Sequence, residues 1–218
     1  MKKIYENCRL CPRKCGIDRF KSVGFCGTGS ETIAAKASLH KWEEPCISYK
    51  NGAGTIFFSG CGMHCVFCQN HTISSDMFGT TLTDRQLADT FLSLQEMGAD
   101  NIDLVTPTHF VPNIIAALDM VKHKLFIPVV YNSSGYELTE TIDMLNGYID
   151  IYLPDIKYYS SEVQNIDVEF ENSYFIKLLF VSLFVFASNF EPENTSIDGL
   201  AICFLTISDF LDSFIIYS

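Results

Sequence analysis

Apolar residues along this chain recur with two different periods, and the two periods alternate. The run from Thr55 to Phe58 is β-branched and aromatic, which predicts a buried strand. A helical stripe follows it, at Leu87, Phe91, Leu94 and Met97. Thr83 and Gln86 stand before this stripe in the spacing of a capping box, and Gly98 follows as a natural stop. This part of the chain therefore predicts a strand followed by an amphipathic helix.

The same alternation continues through two further strand–helix pairs and ends in a fourth strand. The predicted strands span residues 101–106, 127–131 and 150–157. One helix is predicted to begin near Pro112, and the next carries an apolar stripe that ends before Gly147. Strands that alternate with helices favour an α/β fold in which right-handed crossovers connect parallel strands.

Polar residues or cysteines follow each predicted strand at its carboxyl end. In chain order they are Cys61, Cys65 and Cys68, then Thr106 to His109, then Asn132 to Ser134, then Asp155 and Lys157. Ligands of parallel α/β sheets bind at this edge. Four such groups at equivalent places predict one shared site.

The three cysteines after the first strand have the spacing C-x3-C-x2-C. Three thiolates on one loop can hold three irons of a cubane cluster, and the fourth iron stays open because a closed cluster takes four cysteines. The alternatives are a zinc site completed by His64, or cysteines that bind no metal. Zinc sites usually combine two separated pairs of ligands, so the iron–sulfur cluster is the favoured interpretation.

With this loop, and with the aromatic Phe67 before its third cysteine, the chain resembles the radical S-adenosylmethionine (SAM) superfamily. The resemblance covers about residues 8–158 and points to the branch of the pyruvate formate-lyase (glycyl-radical enzyme) activating proteins. It implies a partial (β/α) barrel with about four recognisable βα units, where the family normally has six. It also implies an enzyme that holds a [4Fe–4S] cluster on Cys61, Cys65 and Cys68.

The resemblance further implies a reaction and its partners. The open iron binds SAM, an electron from the cluster splits SAM, and the resulting 5′-deoxyadenosyl radical takes a hydrogen atom from a substrate. An electron donor such as flavodoxin or ferredoxin would reduce the cluster. The expected substrate is a protein or peptide.

Two parts of the SAM site are implied by residues near the first and second strands. Phe67 is expected to lie along the adenine of SAM. Thr106 and Thr108 occupy the place of the family's Gly-Gly-Glu segment, which contacts the SAM amino group. This chain has neither those glycines nor the glutamate.

The remaining implied contacts come from the third and fourth strands. Asn132 and Ser134 would face the ribose or the methionine part of SAM. Lys157 would pair with the SAM carboxylate, and Asp155 would orient that lysine. His109 would either touch the substrate or remain solvated.

A second group of cysteines precedes the first strand. Cys8, Cys11, Cys15 and Cys26 have the spacing C-x2-C-x3-C-x10-C, and four thiolates suffice for a closed metal site. Structural zinc, a second cluster and no metal are all open interpretations. Because this segment supplies no residue at a strand end, we expect it to be dispensable for SAM cleavage.

Charge is distributed unevenly along the chain. Residues 1–50 carry ten Lys or Arg and five Asp or Glu, a balance of +5, and residues 51–218 carry five and 21, a balance of −16. A basic segment can bind nucleic acid. We favour instead that its charges pack against the acidic remainder.

No signal-peptide pattern begins the chain and the apolar run 174–187 is too short to span a membrane, so a reducing cytoplasm is expected.

The predicted organisation has three parts: a cysteine-rich extension at 1–50, a radical SAM core at 51–158, and a divergent tail at 159–218. The tail holds nine of the 18 phenylalanines and no clear βα unit, which raises the hypothesis of a truncated or frameshifted gene product. Three functions follow: a radical SAM enzyme, a truncated iron–sulfur protein without catalysis, and a zinc-stabilised nucleic-acid-binding module.

Overall fold

The computed structural model describes residues 2–155, and every structural statement below concerns those residues. Lys157 and the predicted tail lie outside them. The elements are β1 (Thr32–His40), β2 (Ala53–Phe58), α1 (His71–Ser74), β3 (Thr80–Leu82), α2 (Asp84–Glu96), β4 (Ile102–Val105), α3 (Val111–Val121), β5 (Val129–Ser133), α4 (Thr139–Asp143) and β6 (Ile151–Pro154). Residues 2–31, before β1, are called the N-terminal segment below.

The described strands form one sheet in the order β3-β1-β2-β4-β5-β6. The strands β2, β4, β5 and β6 are parallel, and they coincide with the four strands that the apolar pattern predicts. Helices connect β2 to β4, β4 to β5 and β5 to β6. The α/β prediction is therefore confirmed, and the sheet is a partial barrel that does not close within the described residues.

The edge of the sheet before β2 differs from the prediction. The sequence suggests a linker strand over 39–53, whereas β1 spans Thr32–His40 and pairs antiparallel with both β2 and β3. The segment before β2 is a loop because the Asp100 carboxylate accepts the backbone N–H groups of Lys50, Asn51 and Gly52 at 2.8–2.9 Å. These amides are satisfied by a side chain and need no strand partner.

The predicted signals for α2 and α3 act as expected. The Thr83 hydroxyl caps α2 by accepting the Gln86 N–H, and the Gln86 side chain accepts the Thr83 N–H, which completes the capping box. Gly98 follows α2 in a left-handed conformation, at φ +85°. Pro112 lies in the first turn of α3.

The main core lies between the parallel strands and helices α2 and α3. Ile56 of β2 and Leu104 of β4 are fully buried against Phe91 and Ile114 of the two helices. Because side chains alternate along a strand, Thr55 and Asp103 point to the opposite face, which is the inner face of the partial barrel. Residues 61–68, which carry Cys61, Cys65 and Cys68 and are called the cysteine loop below, follow the carboxyl end of β2.

Candidate functional site

The cysteine loop begins with a turn that only glycine allows. Gly60 has φ +88°, and a Cβ there would stand 2.5 Å from the Cys26 carbonyl oxygen and 2.6 Å from Thr28 Cγ2. The chain therefore passes directly against the N-terminal segment before it reaches Cys61. The Cys61 N–H then donates to that same Cys26 carbonyl oxygen at 3.2 Å.

The three loop thiols lie on the loop that follows the carboxyl end of β2. The Cys61 sulfur accepts the Met63 N–H at 3.4 Å, and the Cys68 N–H donates to the Cys65 carbonyl at 3.1 Å. Cys68 Sγ lies 3.3 Å from the Ser74 hydroxyl. Burial raises the pKa of the Cys61 thiol, and the N–H groups that face its sulfur oppose that rise.

His64 is not placed as a fourth ligand. Its backbone is left-handed, at φ +52°, and its ring turns towards the N-terminal segment. The Nε2 atom lies 2.9 Å from the Phe25 carbonyl oxygen, and Nδ1 lies 3.4 Å from the Ser75 hydroxyl. With both ring nitrogens engaged, the zinc alternative that uses His64 loses its fourth donor.

The donor chemistry of the loop fits an iron–sulfur cluster. Three thiols on eight residues, with no carboxylate or free imidazole among them, are soft ligands of the kind such clusters take. As arranged in residues 2–155, no group of three or more Cys, His, Asp or Glu side chains is closed around a metal position. The fit therefore rests on the donor set and on its place at a strand end.

The four cysteines of the N-terminal segment come together loosely. The thiols of Cys15 and Cys26 lie 3.7 and 3.3 Å from the point that a Cβ on Gly24 would occupy. Burial raises the pKa of Cys8, and it raises the pKa of Cys11 to about 12. Among the described side chains these thiols form no metal-ligand group, so structural zinc, one of the three interpretations left open, is not supported.

The N-terminal segment reaches the strand-end site. Arg13 Nε donates to the Gly62 carbonyl in the cysteine loop at 3.0 Å. Arg19 is 2% exposed, donates to the carbonyl of His109 and donates to the Thr28 hydroxyl at 2.6 Å. These contacts make the segment part of the site's surroundings, although none of its residues stands at the end of a parallel strand. Its dispensability for SAM cleavage stays a prediction.

The predicted SAM-contacting residues that lie within the described part stand at the carboxyl ends of neighbouring strands. Phe67, on the cysteine loop, is 54% exposed. The Thr106 N–H donates to the Asn132 carbonyl at 2.9 Å, and the Asp155 N–H donates to the Ser133 carbonyl at 2.8 Å. Ser134 follows β5 and is half-buried. Their ligand roles remain predictions.

Thr106 has a left-handed backbone conformation. Its φ is +57°, a value that a β-branched residue rarely adopts. A positive φ is a conformation that glycine adopts readily, and the resemblance predicts a glycine-containing segment at this place. Such strain persists only where the surrounding structure imposes it, which marks the segment after β4 as part of a site.

Glu137 is a candidate site residue that sequence reasoning missed. It is 1% exposed, and its carboxylate accepts the Thr108 hydroxyl at 2.7 Å and the Tyr131 hydroxyl at 3.2 Å. Burial raises its pKa to about 7, while hydrogen bonds from Thr108, Tyr131 and Ser133 oppose that rise. A glutamate after a strand would have been the only signal in the sequence.

His109 is neither solvated nor free to touch a substrate. It is 5% exposed, and Nε2 lies 2.9 Å from the Ser59 carbonyl oxygen at the end of β2. Burial lowers its pKa to about 3, so the ring stays neutral. His109 therefore joins the ends of β2 and β4 as a structural residue.

Residues 55–173 match the sequence model of the Radical SAM superfamily, which is more than half of the chain. The chain belongs to the radical SAM superfamily. Its members normally bind a [4Fe–4S] cluster and SAM, and they take an electron from a donor.

The chain is also 32% identical, over 170 residues, to the uncharacterized protein MJ0674 of Methanocaldococcus jannaschii. The match covers 74% of this chain and 48% of that relative, so the chain spans about half the relative's length. No solved structure matches the chain. None of the helices in residues 2–155 is long and apolar enough to cross a membrane.

Proposed function

We propose that Cys61, Cys65 and Cys68 hold a [4Fe–4S] cluster and that this chain uses it for the reductive cleavage of SAM. The observation that carries the proposal is the placement of three thiols on one loop at the carboxyl end of β2, beside the ends of β4 and β5. When bound, the cluster and SAM together supply a 5′-deoxyadenosyl radical that abstracts a hydrogen atom from a substrate.

The protein's own contribution is to bind and orient. Phe67 supplies an exposed aromatic face for the adenine, and Asn132 with Ser134 supplies polar groups for the ribose or the methionine part. Thr106 and Thr108, in the segment after β4, would contact the SAM amino group. The Thr108 hydroxyl donates a hydrogen bond to the Glu137 carboxylate, which holds Thr108 in place. Asp155 and Lys157 complete the proposed set at the end of β6, although Lys157 lies outside the described residues.

The assignment to a branch of the superfamily rests on the resemblance to pyruvate formate-lyase activating proteins. It supports a protein or peptide as the source of the hydrogen atom, flavodoxin or ferredoxin as the electron donor, and a cytoplasmic setting. A second cluster on Cys8, Cys11, Cys15 and Cys26 is compatible with their place in one segment. The contacts that Arg13 and Arg19 make inside the protein favour a structural role for part of the basic charge over a role in nucleic-acid binding.

A cluster-binding protein without turnover is the second candidate. Within the described residues β6 is the last strand of the open sheet, and no described strand pairs with its outer edge. An uncovered strand beside the site would leave SAM exposed to water. This candidate predicts cluster binding without SAM cleavage.

Anaerobic reconstitution of the full chain tests both candidates. The reduced protein should show a [4Fe–4S] signal in electron paramagnetic resonance that shifts on addition of SAM, and chromatography should detect 5′-deoxyadenosine. Cys65→Ala should abolish the signal, whereas the matched control Cys46→Ala, an exposed cysteine outside the loop, should retain it. A signal without 5′-deoxyadenosine selects the second candidate, and a signal that survives Cys65→Ala places the cluster elsewhere.

A further inference from the structure

Three hydrogen bonds fasten the cysteine loop to the N-terminal segment. The Cys61 N–H donates to the Cys26 carbonyl, the His64 ring contacts the Phe25 carbonyl, and Arg13 Nε donates to the Gly62 carbonyl. All three involve backbone carbonyls, which any residue would supply, and they differ in the other partner: a backbone N–H, the His64 ring and the Arg13 side chain. Of these three partners only Arg13 is a guanidinium with a permanent charge, so its contact depends on the identity of that residue.

Arg13 is held on three sides. Its guanidinium carbon lies 4.1 Å from the centre of the Phe25 ring and 5.9 Å from the centre of the Tyr136 ring. Tyr136 packs in turn against Met63 of the cysteine loop. Stacking on two rings and a hydrogen bond to Gly62 fix a positive charge against the loop backbone.

We propose that Arg13 is a positioning residue that holds the cysteine loop in its ligating shape and raises the reduction potential of the cluster bound there. The effect on the reduction potential rests on the proposed function, because it requires a bound cluster. The effect on the shape of the loop does not. It assigns a role to the N-terminal segment that does not require metal at Cys8, Cys11, Cys15 or Cys26.

The sign of the effect on the potential follows from charge. Reduction adds one negative charge to a cluster that already carries thiolate ligands, and a nearby fixed cation stabilises the more negative state. Removal of the Arg13 charge should therefore shift the potential to more negative values. Loosening of the loop alone would admit water, which also stabilises the more charged state and would shift the potential the other way.

Three variants of the full chain separate these effects. Arg13→Gln removes the charge and the stacking, and Arg13→Lys keeps the charge but lacks the planar guanidinium. Arg9→Gln is the matched control, because it removes the same charge from an exposed position in the same segment. A redox titration followed by electron paramagnetic resonance should give a more negative midpoint for Arg13→Gln, a midpoint near wild type for Arg13→Lys, and no shift for Arg9→Gln. Loosening of the loop is common to both Arg13 variants, whereas only Arg13→Gln loses the charge, so a midpoint for Arg13→Gln that is no more negative than that of Arg13→Lys overturns the proposal.

Hydrogen exchange of the metal-free full chain tests the positioning role independently of any cluster. The reporters are the Cys61 and Met63 amides, which donate to the Cys26 carbonyl and to the Cys61 sulfur. They should exchange about tenfold faster in Arg13→Gln, the loss expected for one charged hydrogen bond, and at the wild-type rate in Arg9→Gln. Equal rates in Arg13→Gln and wild type overturn the proposal. A wild-type chain that takes up no cluster refutes the proposed function, while the exchange rates still decide the role of Arg13.

Discussion

At the scale of single residues, the site depends on one close approach between two backbones. Gly60 brings β2 against the Cys26 carbonyl, and Gly147 adopts a similar left-handed backbone at φ +79° after α4. The two glycines share a conformation but differ in surroundings, because a Cβ on Gly147 would have no neighbour within 4 Å. They form a natural pair of test positions.

Gly60→Ala should destabilise the protein by more than about 3 kcal/mol, because it combines a left-handed backbone with a clash against Cys26 and Thr28. Gly147→Ala should cost only about 1 kcal/mol, the price of the backbone conformation. Urea unfolding of both variants measures the two values. Similar losses in the two variants would show that the close approach at Gly60 is not rigid.

Asp103 is a second residue whose surroundings matter more than its type. It is fully buried on the inner face, and neither carboxylate oxygen has a well-formed hydrogen bond among the described residues. Burial raises its pKa to about 7, Glu43 adds to the rise, and the Asn132 and Thr55 side chains oppose it. The folded protein therefore holds a proton here that the unfolded chain releases at lower pH.

The pH dependence of stability follows from that proton. The contribution of Asp103 is fully present below the unfolded pKa of about 4 and is lost as pH rises towards 7, because the native state binds more protons in that window. The free energy of unfolding should therefore fall relative to that of Asp103→Asn by up to about 4 kcal/mol between pH 4 and pH 8. The exposed Asp119→Asn serves as the control in anaerobic urea titrations. A constant difference between wild type and Asp103→Asn across this range would contradict the assignment.

At the scale of elements, helix α2 positions the site indirectly, because it packs behind β2 and β4. Its first turn is set by Thr83 and Gln86, whose reciprocal bonds satisfy two amides that no helix can satisfy internally. This is a local device, and its strength can be measured without reference to the rest of the fold.

Thr83→Ala should destabilise the protein by about 1 kcal/mol, since it removes the N-cap acceptor. Thr90→Ala, the same chemical change at a half-buried position in the middle of α2, should be neutral or slightly stabilising because alanine favours helix. Thermal unfolding under reducing conditions compares the two. Equal effects would show that the capping box contributes nothing beyond helix propensity.

At the scale of the whole molecule, the N-terminal segment is part of the partial barrel. Tyr5 donates to the His109 carbonyl at 3.2 Å, and Arg19 reaches the same carbonyl from a position 90 residues earlier. Lys2 pairs with Asp84 at 2.7 Å, which agrees with basic charge in this segment packing against the acidic remainder. A segment that is too small for its own core is stabilised by the core of the sheet.

Arg19→Met should destabilise the protein by about 3 kcal/mol, because the carbonyls of Gly29 and His109 lose a charged donor and only the His109 carbonyl keeps another, the Tyr5 hydroxyl. Lys21→Met, which removes an exposed cation from the same segment, should leave the free energy of unfolding unchanged. Urea unfolding with both variants decides between a docked and a loosely attached segment. Equal stability of the two variants would contradict docking.

The sequence alone determined the features that neighbouring residues encode. The apolar period predicted the parallel strands β2, β4, β5 and β6, the spacing of Cys61 to Cys68 predicted a metal-ligand loop after the first of them, and Thr83 with Gln86 predicted a helix start. Each of these signals acts within a few residues, because strand and helix periods and metal chelation by one loop are local properties.

Only the tertiary structure decided which distant polar groups meet. Arg13 contacts Gly62 across 49 positions, Thr108 contacts Glu137 across 29, and Asp103 is buried without a good partner. No local sequence pattern predicts the partners of Arg13 or Glu137, because buried hydrogen bonds depend on how the elements pack. The cysteine loop could be predicted from the sequence because its residues are close neighbours in the chain. The residues that contact it could not, because they are distant in the chain and meet only when the protein folds.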